Sequence, residues 1–162
     1  MIVIVNLGIG NIISVKNMLN KIGFDSTTAN NGEELSEASK IIMPGVGSFD
    51  SAMTNIDNLD FRKILNEKVL VEKVPILGIC LGMQIMTRKS EEGNLTGLSW
   101  IDGEAKKFDF TATEKSLKSP HMGWNYVQVI KKSPLFPTTD NEQRFYFVHS
   151  YFIELNTEEQ II

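Results

Sequence analysis

A single cysteine lies between two glycines in a segment whose residue types suit nucleophilic chemistry. The segment reads Gly78-Ile79-Cys80-Leu81-Gly82, with an apolar run before it and a helix-like run after it. Glycines two residues to either side of a nucleophile let neighbouring backbone approach a sharp strand-to-helix turn without a Cβ clash. A thiol at a helix start also lies at the positive end of the helix dipole, which favours the thiolate. The spacing therefore predicts a nucleophilic Cys80, with the backbone N–H of Leu81 directed at a developing oxyanion.

A second glycine turn, Pro44-Gly45-Val46-Gly47, follows the apolar run over 40–43. Ligands of parallel α/β sheets collect at the carboxyl ends of the strands, and two glycines let backbone N–H groups turn toward an anion there. Alone, this segment is equally an ordinary turn between strand and helix, just as a free cysteine on its own is commonly a small buried hydrophobe. Together, the two glycine turns favour a nucleophile with two oxyanion donors.

The elements that position these turns follow from the hydrophobic pattern. The first half alternates apolar runs with helical spacing, which predicts right-handed crossovers and a parallel sheet. After Gly93 the strand patterns follow one another without helices, which predicts a more antiparallel second half. Predicted strands cover 2–7, 25–29, 40–43, 75–80, 103–110, 124–130, 144–148 and 151–155, and predicted helices cover 12–22 and 60–73. The fold class is therefore α/β, with a mainly parallel central sheet flanked by helices.

Composition bounds the class of protein. The 162 residues, 42% of them hydrophobic and 22% charged, predict a single globular domain over 1–162. The net charge of −4, with scattered Lys and Arg, argues against nucleic-acid binding. One cysteine cannot form an internal disulfide, the N-terminus lacks the pattern of a signal peptide, and no apolar run approaches the roughly 20 residues of a membrane span. We therefore expect a cytoplasmic protein without membrane contact, and we expect no metal and no cofactor.

Four segments together carry a resemblance to a known family. They are Pro44-Gly45-Val46-Gly47, Gly78-Ile79-Cys80-Leu81-Gly82-Met83-Gln84, Pro120-His121-Met122-Gly123-Trp124-Asn125 and Val148-His149-Ser150-Tyr151. They resemble the class I glutamine amidotransferases, and within them the glutaminase subunits of imidazole glycerol phosphate synthase. The opening Gly8-Ile9-Gly10-Asn11-Ile12 fits too, so the resemblance covers essentially the whole chain. It implies a flavodoxin-like sheet and a glutaminase of histidine biosynthesis.

The resemblance also implies roles for individual residues. Cys80 would attack the side-chain carboxamide of L-glutamine, giving a γ-glutamyl thioester and ammonia, and water would then release glutamate. Backbone N–H groups of Val46 and Leu81 would stabilise the oxyanion. The residues matching the glutamine site are Gly45, Gly47, Gln84, Glu92, His149, Ser150 and Tyr151. Those matching the surface that faces a (β/α)₈-barrel synthase partner, which consumes the ammonia, are Asn11, His121, Met122 and Trp124.

Residue type alone permits other interpretations of several of these positions. Gln84 and Glu92 suit solvent-exposed helix and loop positions, and Trp124 suits a core position. His149, between apolar neighbours, suits a strand residue whose ring is hydrogen-bonded locally.

The family's general base belongs to a His-Pro-Glu motif located after the His-Ser-Tyr segment, and the sequence contains no such motif. The histidines are His121 and His149. Two interpretations follow: the C-terminal part of the fold is missing from a truncated chain, or a variant recruits one of these histidines. The retained cysteine turn favours truncation, in which case the 162 residues should hydrolyse glutamine poorly.

Three functions are compatible with these motifs. The first is the glutaminase that feeds the barrel synthase. The second is a paralogue that supplies ammonia to a bacterial surface-sugar amidotransferase. The third is a catalytically silent binding subunit, since the base is not in the sequence.

Overall fold

A four-stranded parallel sheet organises the first half of the chain. In this computed structural model the described residues are 1–111, 118–131, 133–136, 143–157, 159 and 161. The strands are β1 (Ile2–Val5), β2 (Ser26–Ala29), β3 (Lys40–Gly45) and β4 (Ile76–Cys80), in the spatial order β2-β1-β3-β4. The helices are α1 (Ile12–Lys21), α2 (Phe49–Asn58), α3 (Phe61–Asn66) and α4 (Leu81–Gln84). This arrangement confirms the predicted α/β class with a parallel sheet.

The hydrophobic core fills the space between one face of this sheet and helices α2 and α3. In β3, Ile41 and Met43 point to that face because side chains alternate along a strand. In α2, the buried Phe49, Met53 and Ile56 recur at helical spacing and form a single apolar stripe. The buried stripe of α2 fixes its position against β3, and α2 begins immediately after the glycine turn that ends β3.

The second half is built mainly from antiparallel pairs. A three-stranded sheet joins β5 (Lys89–Ser90), β6 (Gly103–Lys107) and β9 (Tyr151–Leu155), with β6 and β9 antiparallel and with β5 and β6 as a short parallel pair. A separate hairpin pairs β7 (His121–Val127) with β8 (Gln143–His149). The more antiparallel second half is therefore confirmed.

Some predicted boundaries are wrong. The helix predicted over 60–73 is divided into α3 and a π-helical turn, Glu67–Val71. The strand predicted over 124–130 is β7, which begins at His121 because the ladder with β8 extends that far. The strand predicted over 103–110 ends at Lys107. Within the described part of the chain, no helix is long and apolar enough to cross a membrane.

Candidate active site

Cys80 occupies a strained turn between strand and helix. It is the last residue of β4 and the N-cap of α4, and its φ of 54° and ψ of −113° lie in a region that residues with a Cβ rarely adopt. Its side chain is exposed. The sequence pattern predicted this sharp turn, and the structure has it.

The two flanking glycines allow the backbone to pack closely at the turn. A Cβ on Gly82 would lie 1.7 Å from the carbonyl oxygen of Met43, and one on Gly78 would lie 2.7 Å from the carbonyl oxygen of Gly82. Neither position accepts a side chain without movement of the backbone. The turn that carries Cys80 is therefore pressed directly against β3.

The glycine turn after β3 lies beside the cysteine. Gly45 is the register partner of Cys80 in the parallel ladder, and Gly47 has a φ of 115°. Val46 between them is exposed, whereas Leu81 is buried, with 2% of its surface exposed. The first N–H groups of a helix have no acceptor within that helix, and Leu81 opens α4. The strand register and the chain thus place both candidate oxyanion segments next to Cys80.

A chain of polar contacts joins α4 to the turn that carries Glu92. Gln84 is buried, with 8% of its surface exposed, and its Oε1 accepts a hydrogen bond from Ser90 Oγ at 3.5 Å. The same Ser90 oxygen accepts the backbone N–H of Glu92 at 3.1 Å. Gln84 and Glu92, eight positions apart in sequence, therefore belong to one connected polar group, and the solvent-exposed alternative for Gln84 is wrong.

The Glu92 carboxylate has a buried oxygen without a hydrogen-bond donor among the described residues. This oxygen is Oε2, and the backbone N–H of Phe49 donates to the carboxylate. Burial raises the pKa of Glu92, more than the Phe49 hydrogen bond lowers it, and the negative charge of Asp50 raises it further. A buried carboxylate oxygen without a donor attracts a cationic group.

The segment at 149–151 reaches the same place. Burial raises the pKa of the Tyr151 hydroxyl, and the negative charges of Glu92 and Glu91 add to the shift. Tyr151 opens β9, directly after Ser150, whose carbonyl oxygen accepts the N–H of Phe108 at 3.0 Å. Lys107, the register partner of Tyr151, donates its N–H to Glu91 at 2.8 Å, so this segment lies beside the turn that carries Glu91 and Glu92.

The two histidines bind each other. His149 Nδ1 donates to the carbonyl oxygen of Tyr151 at 2.8 Å, and its Nε2 lies 3.0 Å from Nδ1 of His121. The expectation of a locally hydrogen-bonded His149 is confirmed. In the described ranges no histidine nitrogen lies within hydrogen-bonding distance of the Cys80 thiol, so the geometry does not favour the variant in which one of them is the base.

The hairpin separates the residues predicted to face a partner. Met122 and Trp124 are exposed at 61% and 62% on one face, whereas His121 is half-buried on the opposite face with His149. The core position considered for Trp124 is therefore wrong. Asn11 lies elsewhere, as the N-cap of α1, where its Oδ1 accepts the N–H of Ser14 at 3.1 Å.

Sequence reasoning missed most of that exposed face, which we call the aromatic face. Because paired residues of a hairpin point to the same side, the strand register could have found it. The Arg144 guanidinium lies 5.7 Å and 5.5 Å from the ring centroids of Trp124 and Tyr126. The aromatic face consists of Met122, Trp124, Tyr126, Arg144, Tyr146 and Val148.

Known proteins match the chain along its length. The family model described as glutamine amidotransferase class-I matches residues 3–162. The imidazole glycerol phosphate synthase subunit HisH 2 of Methanococcus maripaludis is 49% identical over 162 residues, which are 100% of this chain and 79% of that protein. The HisH subunit of Leptospira borgpetersenii is 42% identical with the same coverage, and HisH 1 of Campylobacter jejuni is 44% identical over 98% of this chain and 78% of its own length.

A solved structure supports the fold. A crystal structure of a glutamine amidotransferase superposes with a TM-score of 0.69 over 96% of this chain and 75% of that chain, at 14% identity. The sequence matches go further, because they include the cysteine turn and the glycine turn over 44–47 within their span. This chain belongs to the class I glutamine amidotransferases, among relatives that are HisH subunits of imidazole glycerol phosphate synthase.

Proposed function

We propose that this protein is the glutaminase subunit of imidazole glycerol phosphate synthase. It hydrolyses L-glutamine to glutamate and ammonia, and the ammonia passes to a (β/α)₈-barrel partner in histidine biosynthesis. The observation that carries the proposal is the strained Cys80 turn paired in register with Gly45, with the buried Oε2 of Glu92 in the adjoining polar group. We further propose that residues 1–162 act as one domain in the cytoplasm.

The reaction begins at the thiol. The Cys80 thiolate attacks the side-chain carbonyl carbon of glutamine, and the electron pair of the C=O bond moves onto its oxygen. The N–H groups of Val46 and Leu81 stabilise this oxyanion, with Gly45 and Gly47 giving the turn its conformational freedom. Collapse of the intermediate expels the amine as ammonia once a proton reaches it. Water then attacks the thioester and returns the thiol with glutamate.

The amino-acid head of glutamine requires complementary charge. The Oε2 atom of Glu92 binds the α-ammonium group, because a buried carboxylate oxygen without a hydrogen-bond donor is stabilised by a cation. Gln84, linked through Ser90 to the same turn, and the backbone of 149–151 line the remainder of the head group. The carboxamide and the head are thereby held at two ends of one site.

The base that takes the proton from the Cys80 thiol is not one of the two histidines. His121 Nδ1 contacts His149 Nε2, and His149 Nδ1 contacts the carbonyl oxygen of Tyr151; no described hydrogen bond joins either ring to the thiol. We propose that the base is a residue outside these 162, in line with the His-Pro-Glu motif of the family. The aromatic face is the surface we assign to the barrel partner, with Asn11 at a second contact.

Labelling with an electrophilic glutamine analogue, such as a diazoketone that replaces the carboxamide, tests the function. We expect one adduct per chain, located at Cys80 by peptide mass spectrometry and suppressed by L-glutamine. Cys80→Ser should give no adduct. Iodoacetamide, which lacks the amino-acid head, serves as the control for thiol reactivity and should not be suppressed by L-glutamine.

The opposite results are clear. A thiol that reacts with iodoacetamide but not with the glutamine analogue, even with the barrel partner present, would indicate a silent binding subunit. Recovery of a sugar-modifying amidotransferase in place of the barrel subunit as the copurifying protein would overturn the assignment to histidine biosynthesis.

A further inference from the structure

The first turn of α2 holds the loop that follows Glu92. The Asp50 carboxylate accepts the backbone N–H of Asn94 with both oxygens, at 2.9 Å and 3.0 Å, and accepts the N–H of Leu95 at 3.0 Å. The hydrogen bonds from Leu95 and Asn94 lower the pKa of Asp50. The carboxylate is therefore an anion at neutral pH, and its donors are backbone groups that every substitution except proline would keep.

The contact between this turn and the loop runs in both directions. Phe49, the residue before Asp50, donates its backbone N–H to the carboxylate of Glu92. Between the two contacts lies Gly93, where a Cβ would lie 2.1 Å from Asp50 Oδ1. The loop thus gives N–H groups to Asp50, receives one from Phe49, and needs a glycine to come this close.

The same helix turn is joined to the oxyanion segment by covalent chain. Gly47 is followed by Ser48, the N-cap of α2, and Asp50 is the second residue of the helix. Since α2 is anchored by its buried face, the glycine turn and Asp50 are fixed to one rigid element. Asp50 is therefore one of the contacts that fix the loop carrying Glu92 relative to the glycine turn, together with the Phe49 N–H and Ser90 Oγ.

We propose that Asp50 is a positioning residue that fixes the distance between the oxyanion segment and the Glu92 carboxylate, and so selects the side-chain length of the substrate. The inference rests on the proposed function. Glutamine must present its carboxamide at Cys80 while its α-ammonium meets Glu92 Oε2. An amide one methylene shorter, as in asparagine, cannot reach both ends when the distance is fixed. Asp50 touches neither end of the substrate and acts through Glu92.

The test compares alkylation of the full chain by two electrophilic amino-acid analogues, one of glutamine length and one of asparagine length. In Asp50→Asn, one carboxylate oxygen becomes an NH₂ group that faces backbone donors. We expect the half-saturating concentration of the glutamine analogue to rise about tenfold, as for loss of a charged hydrogen bond. Its preference over the shorter analogue should fall, and the rate with iodoacetamide should not change.

The matched control is Asp57→Asn. Asp57 lies on the same helix, and its carboxylate is paired with Arg62 and not with the loop. This variant should keep both the half-saturating concentration and the length preference. Gly93→Ala approaches the same contact from the loop side and should reproduce the Asp50→Asn result. It also decides the matter if Asp50→Asn fails to fold.

Each outcome separates the two claims. Wild-type protein that L-glutamine does not protect from the glutamine analogue overturns the proposed function and this inference with it. Protected wild-type protein, together with unchanged length preference in Asp50→Asn and Gly93→Ala, overturns the positioning role alone.

Discussion

Glu92 combines two opposing properties at the scale of a single residue. Its burial raises the pKa of the carboxyl group above the ordinary 4.5, so the ionised form, to which we assign the α-ammonium group, is disfavoured until the pH exceeds that raised value. In the folded protein the proton is held more tightly than in the unfolded chain. The free energy of unfolding contributed by this group therefore falls as the pH rises from 4.5 through the raised pKa.

Glu92→Gln should accordingly separate binding from stability. We expect protection of Cys80 by L-glutamine to weaken about tenfold at neutral pH, because the charge that meets the α-ammonium is lost. The wild-type loss of protection on the acid side, beginning at a pH above 4.5, should disappear. The melting temperature at neutral pH should stay equal or rise, because a partly buried charge has been removed.

Glu91→Gln is the control for that measurement. The N–H of Lys107 and the Lys106 ammonium lower the pKa of Glu91, so its stabilising contribution is present above its ordinary value of 4.5 and is lost as the pH falls through the lowered pKa. This variant should keep the acid-side loss of protection. An identical acid limb in wild type and Glu92→Gln would show that another group binds the ammonium.

Sequence and structure differ instructively at this scale. Cys80 and its glycines were predictable because close backbone packing demands those residue types at fixed local spacing. Asp50 was not, because the N–H groups that it binds lie 44 and 45 positions away. No local pattern encodes a carboxylate whose partners are backbone atoms of a distant loop.

At the scale of elements, the β7–β8 hairpin brings together two histidines that the motifs assigned to different roles. His121 and His149 are register partners, so their rings meet across the strand pair. A carbonyl oxygen only accepts hydrogen bonds, hence the Tyr151 contact requires the proton of neutral His149 on Nδ1. Its Nε2 then accepts, and His121 must donate from Nδ1.

Both neutral rings are therefore expected to carry hydrogen on Nδ1. Long-range ¹H–¹⁵N correlation spectra of the imidazoles at a pH where both are neutral measure this directly. His121→Phe should leave His149 in the same form, since the Tyr151 carbonyl alone fixes it. A proton found on His149 Nε2 would contradict the described hydrogen-bond chain.

The elements themselves were predicted unevenly. Apolar runs gave β1 and β3 nearly in place, since a buried parallel strand is mostly apolar. The edge strand β2, Ser26–Ala29, has no such run, although its position was also predicted. The helix predicted over 60–73 is broken because its second part, Glu67–Val71, is π-helical, and apolar spacing does not report the extra residue per turn. The two-residue β5 is too short to carry a pattern.

At the scale of the whole molecule, the aromatic face is a surface without a covering element in the described structure. Its five apolar members are between 54% and 62% exposed, and Arg144 lies against two of their rings. Contiguous exposed apolar surface of this kind marks sites of protein association. Aromatic and arginine side chains dominate the energetics of such contacts.

Trp124→Ala should therefore weaken binding of the barrel subunit. We expect a loss of about ten- to a hundredfold in affinity, as for an aromatic residue central to an interface, measured by titration calorimetry. Labelling of Cys80 by the glutamine analogue in the absence of the barrel subunit should not change. Val71→Ala, which truncates a side chain 75% exposed outside the hairpin, is the control. Equal affinities for Trp124→Ala and wild type would remove the aromatic face from the interface.

The whole fold class was predictable because alternating strand and helix signals permit few topologies. The convergence of the glutamine site was not. It depends on the Gln84–Ser90–Glu92 contacts and on the approach of Tyr151, a tertiary arrangement that links both halves of the chain. The resemblance to a family supplied Gln84, Glu92 and Tyr151 as candidates before any contact could, but it did not supply Ser90.

The backbone conformation of Cys80 also bears on how much mutation the protein tolerates. A residue with a Cβ held in such a sparsely populated region costs about 1–3 kcal/mol, against a net stability of about 5–15 kcal/mol for a domain. The packing of the rest of the fold must offset that cost, and it includes the close approach of Gly82 to Met43. The strained Cys80 turn therefore lowers the free energy of unfolding of the folded protein, and fewer destabilising substitutions in the core are tolerated as a result.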